Sequence, residues 1–364
     1  MKKCSKKIII LLFVFFVIFL FDAKETFASE APGITGGMIY NIKNVNSGKY
    51  LNVNLGTDAN GTNVIQWSGD GSIEQKFRVV YYSDRDAYRI YPMCSEKGSN
   101  RVLDVLRTGG SASGAVENGN NVDIWTTGDD NCQFFSIVDR GNNSYSIHLK
   151  SFNALVLTAY GTGNGSGAGN TSTSNGNVYM SYWLGLNNSQ LWQFEPVTAT
   201  PAYPYKNTRG VVNQTYYVDS TADSYISHIN AAIADWSPTI TLSRVYDNSS
   251  SSVDFFIKSG RYFVETSGGN TGILGLTQRF TGSTQKSPLY SNWAFSEISI
   301  NATNLDSPEY NSTHRKAVIV HEIGHAYGLM HLDSPDTIMR PGLYTFSGPF
   351  EAQTKDRTAI SFKY

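Results

Sequence analysis

Between residues 38 and 197 the chain repeats itself three times, and a repeat constrains a fold strongly because each unit must pack against copies of itself. Leu51-Asn52-Val53, Leu103-Asp104-Val105 and Leu155-Val156-Leu157 stand 52 and 52 residues apart. Gln75-Lys76-Phe77, Gln133-Phe134-Phe135 and Gln190-Leu191-Trp192 recur at spacings of 58 and 57. Each triplet closes a unit of short strands and glycine-rich turns. A single unit of this size buries too little apolar surface to fold alone. Three units around a common axis solve that problem, so the expectation is an all-β domain with threefold pseudosymmetry.

A second constraint lies near the C-terminus, where His321-Glu322-Ile323-Gly324-His325-Ala326-Tyr327-Gly328-Leu329-Met330-His331 spells HExxHxxGxxH. His321 and His325 are four apart, so on a helix both face one metal ion. Glu322 is too far round the helix to complete the ligand set comfortably. It can hydrogen-bond a water in the open fourth position, which is the role of a general base. Gly328 accepts the left-handed conformation that ends a helix, and His331 then arrives from another direction. Three neutral imidazoles and one water make a catalytic Zn2+ site, whereas a structural site closes with a fourth protein ligand, usually cysteine. No cysteine lies in the second half of the chain. Ala317-Val318-Ile319-Val320 leads the helix into a core, with Ser312 or Thr313 as its cap. The other histidines, His148, His228 and His314, are scattered and read as ordinary loop or surface residues.

The start of the chain reads as an export signal. Met1 to Lys7 is lysine-rich, Ile8 to Phe21 is an apolar run of 14, and Thr26-Phe27-Ala28 supplies small residues for cleavage. The run is shorter than the roughly 20 residues of a membrane span, so residues 1–28 are assigned as a signal peptide. The expected location is secreted and extracellular, without stable membrane insertion. Cleavage leaves 24 basic against 28 acidic residues, a net charge of −4, which gives no basic footprint for nucleic acid. The remaining 336 residues fit two domains. Pro196 to Pro204 reads as a stiff extended linker, giving a first domain over 38–197, a linker over 198–204 and a second domain over 205–364. Cys94 and Cys132 remain after export, and one disulfide or two buried thiols are both open.

The histidine motif resembles that of the metzincin zinc metallopeptidases, and the likeness extends to Ser334-Pro335-Asp336-Thr337-Ile338-Met339-Arg340-Pro341, which looks like their Met-turn. By that resemblance Met339 forms an apolar floor beneath the three histidines. The helix-like spacing of Tyr225, Ile226, Ile229, Ala232, Ile233 and Trp236, with strands at Val253–Ile257 and Ile298–Ile300, is similar in order to matrixin-like members. Leu332 follows the third histidine, and no tyrosine sits two positions beyond Met339. Tyr344 is a weak candidate for that helper.

The recurring Gln-x-aromatic motifs make residues 38–197 resemble the ricin-type β-trefoil lectins. A sugar needs an aromatic platform and a carboxylate or amide to grip its hydroxyls. Strand alternation in Val122-Asp123-Ile124-Trp125 turns Asp123 and Trp125 outward. The resemblance makes Asp104 the gripping acid and Trp125 the platform, with Asn131 and Gln133 nearby. Asn52 and Trp67 are the weaker equivalents in the first repeat. The third has Val156 and Ser181 and reads as structural. The glycine-rich run Gly161 to Asn177 reads as a loop.

Together these readings give an all-β β-trefoil that binds carbohydrate, followed by an α/β metzincin-like domain. The function they imply is a zinc endopeptidase acting on protein or glycoprotein substrates. A lectin with a silent peptidase scaffold and a zinc hydrolase of non-peptide bonds are the rival readings.

Overall fold

A computed structural model describes residues 30–96, 100–110, 114–165, 175–258, 272–341 and 348–364. The expected signal peptide and Tyr344 lie outside the described residues.

Each repeat contributes four strands. The first supplies β1 (Ile39–Asn44), β2 (Tyr50–Val53), β3 (Thr62–Trp67) and β4 (Lys76–Tyr82). The second supplies β5 (Ala87–Pro92), a helical turn α1 (Met93–Glu96), β6 (Arg101–Val105), β7 (Val122–Thr126) and β8 (Phe135–Asp139). The third supplies β9 (Tyr145–Leu149), β10 (Phe152–Ala159), β11 (Val178–Tyr182) and β12 (Trp192–Pro196). The outer strands of the repeats pair in a closed ring, β1-β4-β5-β8-β9-β12 and back to β1. Closure removes the sheet edges. The periodic residues fill the interior: Leu51, Leu103, Leu155, Phe77, Phe135 and Trp192 are fully buried in one cluster.

The inner hairpins β2–β3, β6–β7 and β10–β11 converge. Where they meet, three asparagines form a closed ring of hydrogen bonds. Asn121 Nδ2 donates to Asn63 Oδ1 (2.7 Å), Asn63 Nδ2 to Asn177 Oδ1 (3.0 Å), and Asn177 Nδ2 to Asn121 Oδ1 (2.8 Å). All three side chains are buried, and the ring satisfies them mutually. The last residue of the expected glycine-rich loop is therefore an axial core residue; residues 166–174 of that run lie outside the described residues.

Three local expectations change. Cys94, expected in a strand region, sits in α1, and both Cys94 and Cys132 are unpaired. Burial pushes each thiol up to about 12, so neither is a ready thiolate. His148 is buried in β9 and bonded to Ser146 and the Asn153 carbonyl. Asp123 is 2% exposed although Trp125 is 44% exposed. The alternation fails because Asp123 lies opposite both Asn63 and Asp104, in the middle of a three-stranded patch, while Trp125 passes beyond the end of β3.

The second half contains β13 (Gln214–Val218), α2 (Ile226–Trp236), β14 (Leu242–Val245), β15 (Val253–Ile257), β16 (Gly275–Thr281), β17 (Thr284–Gln285), β18 (Phe295–Ile300), α3 (Ala302–Leu305), α4 (Ser312–Ala326) and α5 (Thr354–Lys363). Its sheet runs β14-β13-β15-β18-β16-β17, with the first four parallel and β16 antiparallel to β18. The helix α4 is buried on all sides from Ala317 to Gly324, as a helix apolar all round must be. Trp236 of α2 donates Nε1–H to the Val320 carbonyl at 3.0 Å. Asn311, not Ser312 or Thr313, caps the helix by accepting from Thr313 N and His314 N. No helix among the described residues is long and apolar enough to cross a membrane.

Residues 198–204 differ most from expectation. A stiff extended linker carrying few residues able to join either core was expected, but Thr198, Thr200 and Ala202 are buried. Ala202 N donates to Gly37 O (3.0 Å), and Ala202 bridges Leu329. Met330 N donates to Pro201 O (2.9 Å) and Tyr203 N to Gly328 O (2.9 Å). Arg78 of β4 donates to Gly37 O (2.8 Å) and Ala202 O (3.4 Å). An extended segment carries unpaired backbone groups, and here they pair with the chain leaving α4 instead of with water. The halves also meet through Tyr82, whose hydroxyl contacts Tyr91 (2.6 Å) and Leu289 O (3.1 Å).

A chain beginning at residue 205 loses the backbone partners of Gly328, Leu329 and Met330. Its zinc affinity, measured by competition with a chromogenic chelator, is expected to fall by roughly tenfold or more. Affinity equal to that of the full chain would show that the segment only spaces the halves.

Candidate functional site

Two paths bring the histidines together. α4 presents His321 and His325 one turn apart. The helix then closes at Gly328 (φ 91°), with Gly328 N bonded to His325 O and Leu329 N to Gly324 O, both at 3.0 Å. This is the Schellman pair of a left-handed C-cap, a conformation that strains a side chain. The reversal delivers His331, whose Nε2 lies 3.1 Å from that of His321 and 2.9 Å from that of His325.

The imidazoles are oriented from behind. His321 Nδ1 lies 2.7 Å from Ile338 O and His325 Nδ1 lies 2.9 Å from Leu329 O. A carbonyl accepts only from a protonated nitrogen, so Nδ1 carries the proton and the Nε2 lone pairs point inward. Burial holds His325 well below its ordinary value and His331 down to about 3, with the charges of His321 and Arg279 adding to both and that of His331 to His325. Neutral rings are what metal ligation requires. The three ligand atoms lie within 4.8 Å of one another, and among the described residues this is the cluster that could hold a metal. Three imidazole nitrogens without a thiolate or fourth protein group fit zinc with one open position.

Glu322 points into a cleft of about 240 Å³ that is also lined by Tyr203, Thr277, Arg279, His325 and His331. Burial raises its carboxyl, opposed by the charge of His321, a hydrogen bond from Thr277 and the charge of Arg279. The Thr277 hydroxyl donates to Oε2 at 2.6 Å. Arg279 is buried and donates Nε–H (3.0 Å) and Nη2–H (2.5 Å) to His325 O, so a cation closes the negative end of α4. Trp293 Nε1 and Ser296 Oγ donate to Ala326 O at 3.1 and 3.2 Å, satisfying another end carbonyl.

Met339 is fully buried and packs beneath α4. A Cβ added at Gly324 would stand 2.5 Å from its sulfur, so that close approach requires glycine. The turn before it is tied down by Asp356 of α5, a residue the sequence reading missed. Its carboxylate accepts from Thr337 Oγ1 (2.6 Å), Ile338 N (3.3 Å), Gln353 N (2.9 Å) and Thr200 Oγ1 (2.7 Å). The Ile338 carbonyl that orients His321 is therefore held by α5 and the interdomain segment together. Thr277, Arg279 and Tyr203 were also missed. They come from a strand and a linker with no local motif, and only the fold brings them to the cleft.

In the first half, Asp104 lies opposite Asp123 across β6 and β7. Burial raises Asp104 to about 7, with Asp130 adding and Gln133 and Arg107 opposing. Burial, followed by the Asp104 charge, raises Asp123 to about 8, and Asp123 Oδ1 has no partner among the described residues. Trp125 and Asn131 are exposed nearby in sequence, and Trp67 is exposed on β3. Gln133 is buried: it accepts from Gly128 N (3.0 Å) and donates to Thr126 O (3.1 Å), holding its loop. Gln75 and Gln190 bracket the equivalent loops in the same way. Asn52 is also buried, its amide spent on Val53 O at 2.7 Å, and so it does not offer the surface grip expected of it. Val156 and Ser181 are buried, as a structural third unit requires.

The fold and site define a β-trefoil joined to an α/β domain with a three-histidine centre. Residues 206–364 match the matrixin family, and residues 26–115 match the family of ricin-type β-trefoil lectin-like domains. The chain thus carries a matrixin domain behind a ricin-type trefoil region. Similar solved structures include the designed threefold protein ThreeFoil, at 23% identity over 43% of this chain and 97% of that one, TM-score 0.35. The Rhizoctonia solani agglutinin has 19% identity over 46% of this chain and 99% of its own, TM-score 0.35. The Macrolepiota procera ricin B-like lectin, solved with lactose, has 16% identity over 44% and 97%, TM-score 0.31. No curated protein matches the chain.

The carboxyl pair generates a pH prediction. Both folded values stand above those of free carboxyls, so the stability they contribute is full below the unfolded value near pH 4 and is lost as pH rises through about 7 to 8. Asp123→Asn should therefore raise the thermal midpoint more at about pH 8.5 than at about pH 4.5. An equal effect at both pH values would mean that the carboxyl is not titrating in the fold.

Proposed function

We propose that the protein is a secreted zinc endopeptidase whose trefoil directs it to glycosylated targets. The observation that carries the peptidase reading is the convergence of three Nε2 atoms beside a buried glutamate, together with the matrixin match over 206–364. His321, His325 and His331 would hold the ion. Zinc in such a site supplies Lewis acidity toward water and a scissile carbonyl.

The remaining work falls to the chain. Glu322 takes a proton from the attacking water and returns it to the leaving amine. Thr277 holds the carboxylate in that direction. Substrate binding is supported by β16, which pairs with β18 on one side, whereas β17 covers only Phe280 and Thr281 on the other. The open edge at Gly275–Thr277 lines the cleft, so an extended peptide can add there as a strand. Asp104, Trp125 and Asn131, with Trp67 in the first repeat, offer carboxylate, amide and aromatic surfaces suited to sugar hydroxyls and ring faces. Tethering through them raises the local peptidase concentration without altering its chemistry. The N-terminal leader supports export.

Glu322→Ala should abolish hydrolysis of an unfolded protein while one zinc per chain remains, and His325→Ala should lose both. Loss of zinc from Glu322→Ala would count against its role as base. Thr277→Val should lower kcat by about tenfold, a loss of about 1.4 kcal/mol in transition-state stabilisation, with metal content unchanged.

A further inference from the structure

Away from the metal cleft and from Asp104 and Trp125, a second pocket of about 360 Å³ opens between the two halves. Its most informative residue is Arg89 of β5, which is 6% exposed. The guanidinium lies 4.1 Å from the Phe134 ring centroid and 5.3 Å from that of Tyr82. Nη2 donates to the Gly128 carbonyl, whereas Nε is sealed from solvent and has no acceptor among the described residues. Arg85 pairs with Asp129, whereas Arg89 has no carboxylate partner among the described residues. A cation buried without a counter-charge is costly, and this one borders a cavity of the size that takes a small ligand.

We propose that this pocket binds a sugar acid, with the ligand carboxylate against Arg89 and its hydroxyls on the rim. Arg89 lines the pocket, so a ligand carboxylate can take an Nη–H of its guanidinium in a charge-assisted hydrogen bond. The rim argues for a sugar over a peptide terminus. Asp129 and the Gly128 carbonyl accept hydrogen bonds, which suits a ligand with one negative charge and several hydroxyl donors. Phe134 of the trefoil, covered by the two guanidinium groups, backs the pocket, and Tyr205 and Tyr290 from the second half supply ring faces. Tyr205 is tied to Thr127 at 3.4 Å and Tyr290 to Asp84 at 2.8 Å, so the pocket draws its walls from both domains. An occupant there would bind across the joint between lectin and peptidase. The proposal stands independently of both sites above.

The test uses the full chain carrying Asp104→Ala, so that binding at the other sugar site does not contribute. Titration calorimetry would compare the methyl glycosides of glucuronic acid and N-acetylneuraminic acid with their methyl esters and with hippurate. Binding of at least one acid, weakened roughly tenfold or more by esterification and lost in Arg89→Gln, is the expected result; which acid binds separates uronic from sialic sources. Tyr290→Ala, on the exposed wall of the other domain, should weaken the same binding, and it keeps the test decisive if Arg89→Gln does not fold. No binding of either acid, equal binding of acid and ester, or equally tight binding of hippurate would overturn the proposal.

Discussion

The reversal of the chain after α4 is held from three sides, and the three-histidine cluster depends on all three. Within the helix, Gly328 supplies the left-handed turn that lets His331 face His321 and His325. From the sheet, Arg279, Trp293 and Ser296 take the terminal carbonyls that would otherwise be unpaired in the interior. From the segment between the halves, Pro201 and Ala202 pair with Met330 and Leu329, the residues just before His331, and Arg78 fastens that segment to the trefoil. The position of His331 is thereby set by contacts from both halves of the chain. Asp356 repeats the logic behind His321, joining the Met-turn, α5 and Thr200 through one carboxylate.

The trefoil follows a different economy. Its apolar residues obey the threefold repeat closely, because a closed barrel has three equivalent interior positions for each type. Its polar surface does not. Only the second repeat keeps an acid at the position of Asp104 with an exposed tryptophan nearby. The first has a buried Asn52, and the third has Val156. Symmetry is therefore a property of the core, whereas the polar and aromatic surface differs from repeat to repeat.

The same distinction explains what the sequence revealed. Leu51, Leu103 and Leu155 could be recognised because a barrel interior repeats them at fixed intervals. The histidine motif could be read because helical spacing and a glycine stop determine its geometry locally. Long-range polar partners had no such signal. Asn63, Asn121 and Asn177 recur at spacings of 58 and 56, but an asparagine suits a turn as well as a core, and only the meeting of three hairpins makes a ring of them. Asp123 was misjudged because alternation assumes one solvated face, which a strand between two others near the axis does not have. The segment 198–204 was misjudged because a proline-bearing extended stretch reads as a spacer until an open backbone is found beside it.

The central claim is that three imidazoles, set by the closure of α4, hold one zinc with a position left open for chemistry. X-ray absorption spectroscopy on the zinc-loaded full chain tests it directly. The account predicts one zinc per chain, three imidazole nitrogens at about 2.0–2.1 Å and one exchangeable oxygen ligand. A sulfur ligand, a fourth protein ligand closing the site, or no stoichiometric binding would contradict it.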